Sequence, residues 1–153
     1  MTEHEPFIRQ SYELAKAAVS HGNHPFGALL VKEGEVILTA QNTIITDHDV
    51  TRHAELNLVS LASQKFDAAA LGQCTLYTST EPCAMCAGAI FWAGIPTVVF
   101  GCSAVALSHL TGGGSLAIPC PEIFERGKRA TIVIGPLLEK EGLQIHKQYW
   151  LGK

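Results

Sequence analysis

The amino-acid sequence predicts an α/β fold, a three-layer α/β/α sandwich around a five-stranded mixed sheet. Three observations carry this. Two β-rich runs, Phe26 to Lys32 and Glu35 to Gln41, meet at Glu33-Gly34 and read as a hairpin. From about residue 73 onward strand-like and helix-like segments alternate. An opening hairpin followed by such alternation implies a mixed sheet covered by helices on both faces.

Each element follows from local pattern. A first helix spans Pro6 to about Ser20, with Phe7, Tyr12, Leu14, Ala15, Ala18 and Val19 favouring one side and Gly22 ending it. His21 to Pro25 is a loop by composition, and Asn42 to Val50 a polar loop in which His48 is an exposed histidine. A second helix, about Arg52 to Gln64, packs through Leu56, Leu58, Val59 and Leu61. Then come a strand from Cys74 to Ser79, a helix from Cys83 to Ala93 and a strand from Thr97 to Cys102. After a long loop and a short helix near Pro121 to Arg126, Arg129 to Ile134 supplies the fifth strand, and a last helix begins near Pro136 or Leu137. With no repeat or linker, residues 1–153 read as one domain.

Composition narrows the function classes. A hydrophobic content of 47% is high for a monomer of 153 residues, so an oligomer that hides an apolar face is expected. The net charge of −3 argues against a polyanionic partner, because nucleic-acid binding leaves a basic footprint. No apolar run reaches the ~18 residues of a membrane span, and the N-terminus lacks the basic region of a signal peptide, so a cytoplasmic protein is expected. Five cysteines, an odd number, fit a reducing compartment better than a disulfide framework.

The chemistry concentrates in His53-Ala54-Glu55 and Pro82-Cys83-Ala84-Met85-Cys86. If Pro82 opens a helix, its first turn points Cys83 and Cys86 the same way. A helix N-terminus favours thiolates, the form a metal ion requires. Two thiolates and the His53 imidazole suit zinc and leave a fourth position open for water, whose pKa would fall to roughly 7. Glu55 is then the natural proton carrier. Because residues two apart on a helix face nearly opposite ways, His53 should lie at a helix start, where the backbone can turn both side chains inward.

On these residues the chain resembles the cytidine deaminase superfamily, in the branch of small enzymes that holds guanine deaminases, tRNA adenosine deaminases and fungal-type cytosine deaminases. H-x-E followed by P-C-x-x-C is a signature of zinc deaminases. The resemblance also covers His24-Pro25-Phe26-Gly27-Ala28, Gln41-Asn42, Thr51-Arg52, Leu76 to Glu81, Ala87 to Ile90 and Val98 to Gly101, then thins. It implies one zinc ion per chain on His53, Cys83 and Cys86, and Glu55 as the proton shuttle. It also implies a homodimer and a small nucleobase or nucleoside as substrate. Asn42 matches the family's base or ribose contact, and the Ala54 backbone can bind a ring edge. Phe26 and Trp92 are candidate stacking walls, Trp92 also for a subunit interface, and His109 a reader of the substrate edge.

The substrate is less legible. A purine such as guanine is favoured by Pro25-Phe26-Gly27, Asn42 and Ile90-Phe91-Trp92-Ala93, yet no carboxylate stands between Cys102 and Pro121, where guanine deaminases carry an acid. Cytosine is the alternative, suggested by Gly94-Ile95-Pro96. A tRNA adenosine deaminase is argued against by the few basic residues of Leu137 to Lys153, and an inactive zinc-stabilised binding protein by the intact Glu55. Gly112 to Gly114 looks like a flexible lid, with Tyr149 and Trp150 as further closing groups.

Overall fold

The computed structural model describes residues 2–114, 116 and 118–152. Helix α1, Glu5–Ser20, opens with Glu5 and a proline in its first turn, both favourable there, and buries Ile8, Tyr12, Ala15 and Ala18 along one stripe. It leads into β1, Gly27–Lys32, and β2, Glu35–Gln41, which pair antiparallel. The two-residue turn between them puts both Glu33 (φ 53°) and Gly34 (φ 78°) in the left-handed region, the geometry that matches the twist of a hairpin.

Four residues of α2, Ile44–Asp47, interrupt what the composition presents as a loop, and His48 ends them in a left-handed conformation, exposed. Helix α3, Ala54–Lys65, is followed by a single turn, α4, Ala68–Leu71, capped by Asp67. Strand β3, Cys74–Thr80, α5, Ala84–Ala93, and β4, Thr97–Cys102, form a β-α-β unit whose strands pair parallel. Beyond β4 come α6, Ala104–Thr111, α7, Cys120–Phe124, β5, Ile132–Ile134, and α8, Glu139–Leu151.

The sheet order is β2-β1-β3-β4-β5, with β1–β3 antiparallel and β4–β5 parallel. Strands β1, β3 and β4 are buried almost throughout and the outer strands are not, as a sheet covered on both faces requires. Helices α3 and α5 enclose one core, around Leu30, Leu58, Leu76, Ile90 and Val98. On the opposite face α1 and α8 cover a smaller one around Ile8, Tyr12, Leu29, Tyr77 and Val99. Gly27 lets α1 sit hard against β1: a Cβ there would lie 2.7 Å from both the Ser11 carbonyl oxygen and the Ala15 nitrogen. Among the described residues no helix is long and apolar enough to cross a membrane.

The α/β class, the five strands and the hairpin match the sequence expectation. Three differences stand out. The long loop after β4 contains a helix, α6, capped by the Ser103 hydroxyl, which accepts from the Ala106 N–H at 3.1 Å, and ended by Gly112 at φ 85°. The fifth strand is only Ile132–Ile134, since Arg129 reaches back to the Phe91 carbonyl and ring instead of continuing the ladder. Helix α8 starts at Glu139 because Leu138 is left-handed (φ 52°).

Candidate metal centre and cavity

The two halves of the H-x-E…P-C-x-x-C pattern meet at neighbouring helix starts. His53 is the N-cap of α3 with extended backbone (φ −66°, ψ 152°), so its ring leaves the helix axis while Glu55 stays in the first turn. Cys83 occupies the same place on α5 (φ −69°, ψ 174°), and Cys86 lies one turn on, fully buried. This is how H-x-E brings two side chains two residues apart into one site: one belongs to the cap and the other to the helix.

The donor atoms of His53, Cys83 and Cys86 all lie within 4.8 Å of one another. His53 Nδ1 is 3.6 Å from Cys83 Sγ. Tetrahedral zinc, with bonds of about 2.3 Å to sulfur and about 2.1 Å to nitrogen, spaces such donors about 3.6–3.8 Å apart, so the trio fits the ion. Electrostatics agree with the donor chemistry. A hydrogen bond from Cys86 and another with His53 pull the Cys83 thiol down to about 4, whereas Cys86, which keeps the shared proton and is buried, is pushed well above the usual thiol range. The hydrogen bond to Cys83 raises His53. A cation binding there would release these protons.

Glu55 is 5% exposed, and burial pushes its carboxyl up to about 7, against the opposing pull of its own N–H and of His53. A carboxyl that gains and loses its proton near neutral pH suits general acid and base work alike. Around it is a cavity of about 130 Å³ whose inner end is formed by His53, Glu55, Thr80 and Cys83. Its outer wall is apolar: Phe26, Ala104 and Leu107, with Leu116 and Ile118 from the segment after α6. Glu81 also lines it, but both its carboxylate oxygens are engaged, accepting from the Ala104 N–H at 3.0 Å and the Cys120 N–H at 2.9 Å.

Of the remaining sequence candidates, the structure brings Phe26 to the cavity, where its ring packs on His146 at 5.3 Å. Asn42 and Ala54 are buried at the adjoining helix starts, outside the cavity lining, and Asn42 Oδ1 is occupied in accepting from the Ile44 N–H at 3.1 Å. Neither Trp92, as a stacking wall, nor His109 lines this cavity. Trp92 is 84% exposed on α5 beside Phe91 and does not line the cavity, because it falls on the side of the helix turned away from the sheet. His109 belongs to α6 rather than to a mobile loop; Leu107 faces the cavity, and His109, two residues on, faces a surface groove against α8. Gly112 to Gly114 all take positive φ, and the chain after them returns as the cavity wall through Leu116 and Ile118.

Sequence reasoning missed one group. His146 of α8 is 2% exposed, with Nε2 2.9 Å from Thr80 Oγ1 and Nδ1 accepting from the Trp150 indole N–H at 3.1 Å. Burial pushes it down to about 4. The i, i+4 spacing of His146 and Trp150 was its only signal. Tyr149 sits beside them, its hydroxyl 2.9 Å from His24 Nδ1, and the His24 ring stacks on Trp150 at 5.2 Å.

Comparison with known proteins agrees with this geometry. The family model for the cytidine and deoxycytidylate deaminase zinc-binding region matches residues 1–102. A probable cytosine deaminase of Schizosaccharomyces pombe is 38% identical over 151 residues, 95% of this chain and 91% of that protein. A guanine deaminase of Bacillus subtilis is 45% identical over 98 residues, 63% of this chain and 62% of that one. Among solved structures, the guanine deaminase from Nitrosomonas europaea superimposes with a TM-score of 0.82 at 25% identity, covering 95% of this chain and 83% of the other. With residues 1–102 matched by the zinc-binding region, and an imidazole and two thiols gathered at two helix starts, the chain belongs to the cytidine and deoxycytidylate deaminase family of zinc-dependent hydrolases acting on C–N bonds.

Proposed function

We propose that this protein is a hydrolytic deaminase of a free nucleobase, with a single-ring, cytosine-type base ahead of guanine. One observation carries the choice: the cavity is small and its outer wall apolar, and Glu81, its only carboxylate besides Glu55 among the described residues, already accepts two backbone N–H groups. Guanine would bring a ring N–H and an exocyclic amine to that wall, and leaving two such donors unpaired costs about 1–3 kcal/mol each. The near full-length likeness to a probable cytosine deaminase points the same way. Guanine, which the sequence alone favours, remains the second reading, supported by the identity to the Bacillus subtilis enzyme.

In this reading His53, Cys83 and Cys86 hold zinc, which supplies an activated water. Glu55 would take one proton from the attacking water and deliver it to the ring nitrogen next to the amino-bearing carbon, then take the second from the hydroxyl added to that carbon and pass it to the amine, which leaves as ammonia. Protonating the ring makes that carbon electrophilic. Burial keeps Glu55 near neutrality and so able to do both. Phe26 gives the base a flat wall, and Asn42 fixes the β2–α2 corner behind the metal-bearing helix. Trp92, an apolar ring left at the surface, is in our reading covered by a second copy of the chain, which sedimentation at micromolar concentration checks.

The test is an ammonia-release screen of the zinc-loaded protein over cytosine, guanine, adenine, isoguanine and their nucleosides, with a tRNA arm. Cytosine-type bases are expected to lead in kcat/KM. Preference for guanine would reverse the order of the two readings, and salt-sensitive action on tRNA alone would replace both.

A further inference from the structure

We infer that Thr80 is a substrate-binding hydroxyl whose hydrogen is directed into the cavity by His146 and Trp150, making it a donor to an acceptor atom of the base, a ring carbonyl or an unprotonated ring nitrogen. The inference rests on the proposed nucleobase substrate.

An indole N–H can only donate, so the 3.1 Å contact from Trp150 Nε1 makes His146 Nδ1 an acceptor. The proton of the neutral ring must then be on Nε2. The ring stays neutral because it is 2% exposed and burial pushes it down to about 4. Nε2–H therefore donates to Thr80 Oγ1 across 2.9 Å. Had the proton sat on Nδ1 instead, two N–H groups would face each other.

Thr80 is left with a hydrogen that cannot point back at His146. The residue sits at the end of β3 and lines the same cavity as Glu55, His53 and Cys83. Among the described residues its hydroxyl has no other hydrogen-bond partner. The hydroxyl of Thr78, two residues earlier on the same face of β3, is shared between the Thr80 carbonyl, at 3.1 Å, and the Glu55 carboxyl, and does not line the cavity. The end of the strand thus offers one oriented donor to a cavity whose outer wall has none. Cytosine keeps its ring carbonyl as an acceptor after Glu55 has engaged the ring nitrogen beside the amino-bearing carbon, and a donor buried without a partner selects for such an atom.

Steady-state kinetics of Thr80→Val, Thr80→Ser and Trp150→Phe, together with ¹⁵N NMR of the His146 ring, test this. NMR of the wild-type protein is expected to show the Nε2–H tautomer at pH 7. Thr80→Val, which keeps shape and loses the hydroxyl, is expected to raise KM about tenfold with kcat within about twofold, and Thr80→Ser to restore most of it. Trp150→Phe is expected to shift the tautomer toward Nδ1–H and to raise KM, with the double variant no worse than Thr80→Val alone.

An imidazolium or Nδ1–H ring in the wild type, an unchanged KM in Thr80→Val, or additive effects in the double variant would each overturn the inference. Wild-type turnover is measured first: if no base releases ammonia, the proposed substrate class and this inference fall together. If turnover is present and Thr80→Val is indifferent, only this inference falls.

Discussion

Replacing Glu81 should loosen the outer half of the cavity without removing the metal. Its two oxygens accept from Ala104 N–H and Cys120 N–H, the first residues of α6 and α7, so one carboxylate ties two helix starts to the strand end that precedes Cys83. Bonds from N–H groups to a charged acceptor contribute about 1.5–3 kcal/mol each. Glu81 is only half-buried, so the lower end applies, and Glu81→Ala should cost about 3 kcal/mol. For a chain of this size that is a fall in Tm of about 6–12 °C. Glu81→Gln, which retains one acceptor, should lose about half as much. The assays are thermal and urea unfolding of the zinc-loaded variants, zinc stoichiometry, and hydrogen exchange resolved to peptides covering 104–111 and 120–124. Protection should fall in both segments while that of α1 and β1 holds. A cost below about 1 kcal/mol, or unchanged exchange in both segments, would refute the clamp.

Four further outcomes follow from the same structure. Glu55→Gln should keep zinc and lose at least about 100-fold in ammonia release, since the proton carrier is gone; near-normal turnover would remove Glu55 from the chemistry. His53→Ala, Cys83→Ser and Cys86→Ser should each lower zinc content and abolish activity, read by metal analysis after dialysis, and full retention in any of them would strike that residue from the ligand set. His146 is held down to about 4 in the fold against about 6.5 unfolded, so between those values only the unfolded chain takes up the proton and stability drops as pH falls, by about 3 kcal/mol at pH 4. The urea-derived stability gap between wild type and His146→Gln should therefore narrow by about that amount from pH 7 to pH 4, and a constant gap contradicts a buried neutral ring. Gly27→Ala places a Cβ against the backbone of α1 at Ser11 and Ala15 and should lower stability by about 1–3 kcal/mol, visible as a lower urea midpoint.

Much of the fold was legible because its signals are local. The hairpin followed from β-rich runs around Glu33-Gly34, and the metal half of the site followed from ligand types at fixed offsets from Pro82 and within His53-Ala54-Glu55. What failed had no local signal strong enough. Helix α6 has only eight residues of weak amphipathic pattern, and its start depends on Ser103, Glu81 and Glu139, the last 36 residues away, whose carboxylate accepts from the Ser103 N–H at 2.8 Å. Once α6 is a helix, Leu107 and His109 diverge, so the polar residue that composition singles out faces away from the cavity. Trp92 is kept from the cavity for the same reason: its neighbour Phe91 packs and is held by Arg129, and the next residue on the helix is left outside, which leaves only the interface half of its sequence reading. His146 went unread because its importance lies wholly in what β3 brings to it from 66 residues away.

The site has two physically distinct halves. The metal-binding half stands on β3, α3 and α5, against the larger core, where Leu58, Leu76, Ile90 and Val98 are fully buried and fix the two helix starts. Phe26 and Thr80 line the cavity from this same half, and the rest of its wall comes from after β4: Leu107, Leu116 and Ile118 behind the Glu81 clamp, supported by α8 through His146. None of those later side chains belongs to the rigid strands, and only a few polar contacts hold them over the cavity. Their replacement can change which base fits while leaving the donor geometry at His53, Cys83 and Cys86 intact. The family match ends at residue 102, the last residue of β4, where the first half gives way to the second. A frame that keeps the metal-binding residues on its core and much of the cavity wall on its later helices lets that wall vary while the zinc-binding region, matched over residues 1–102, is kept.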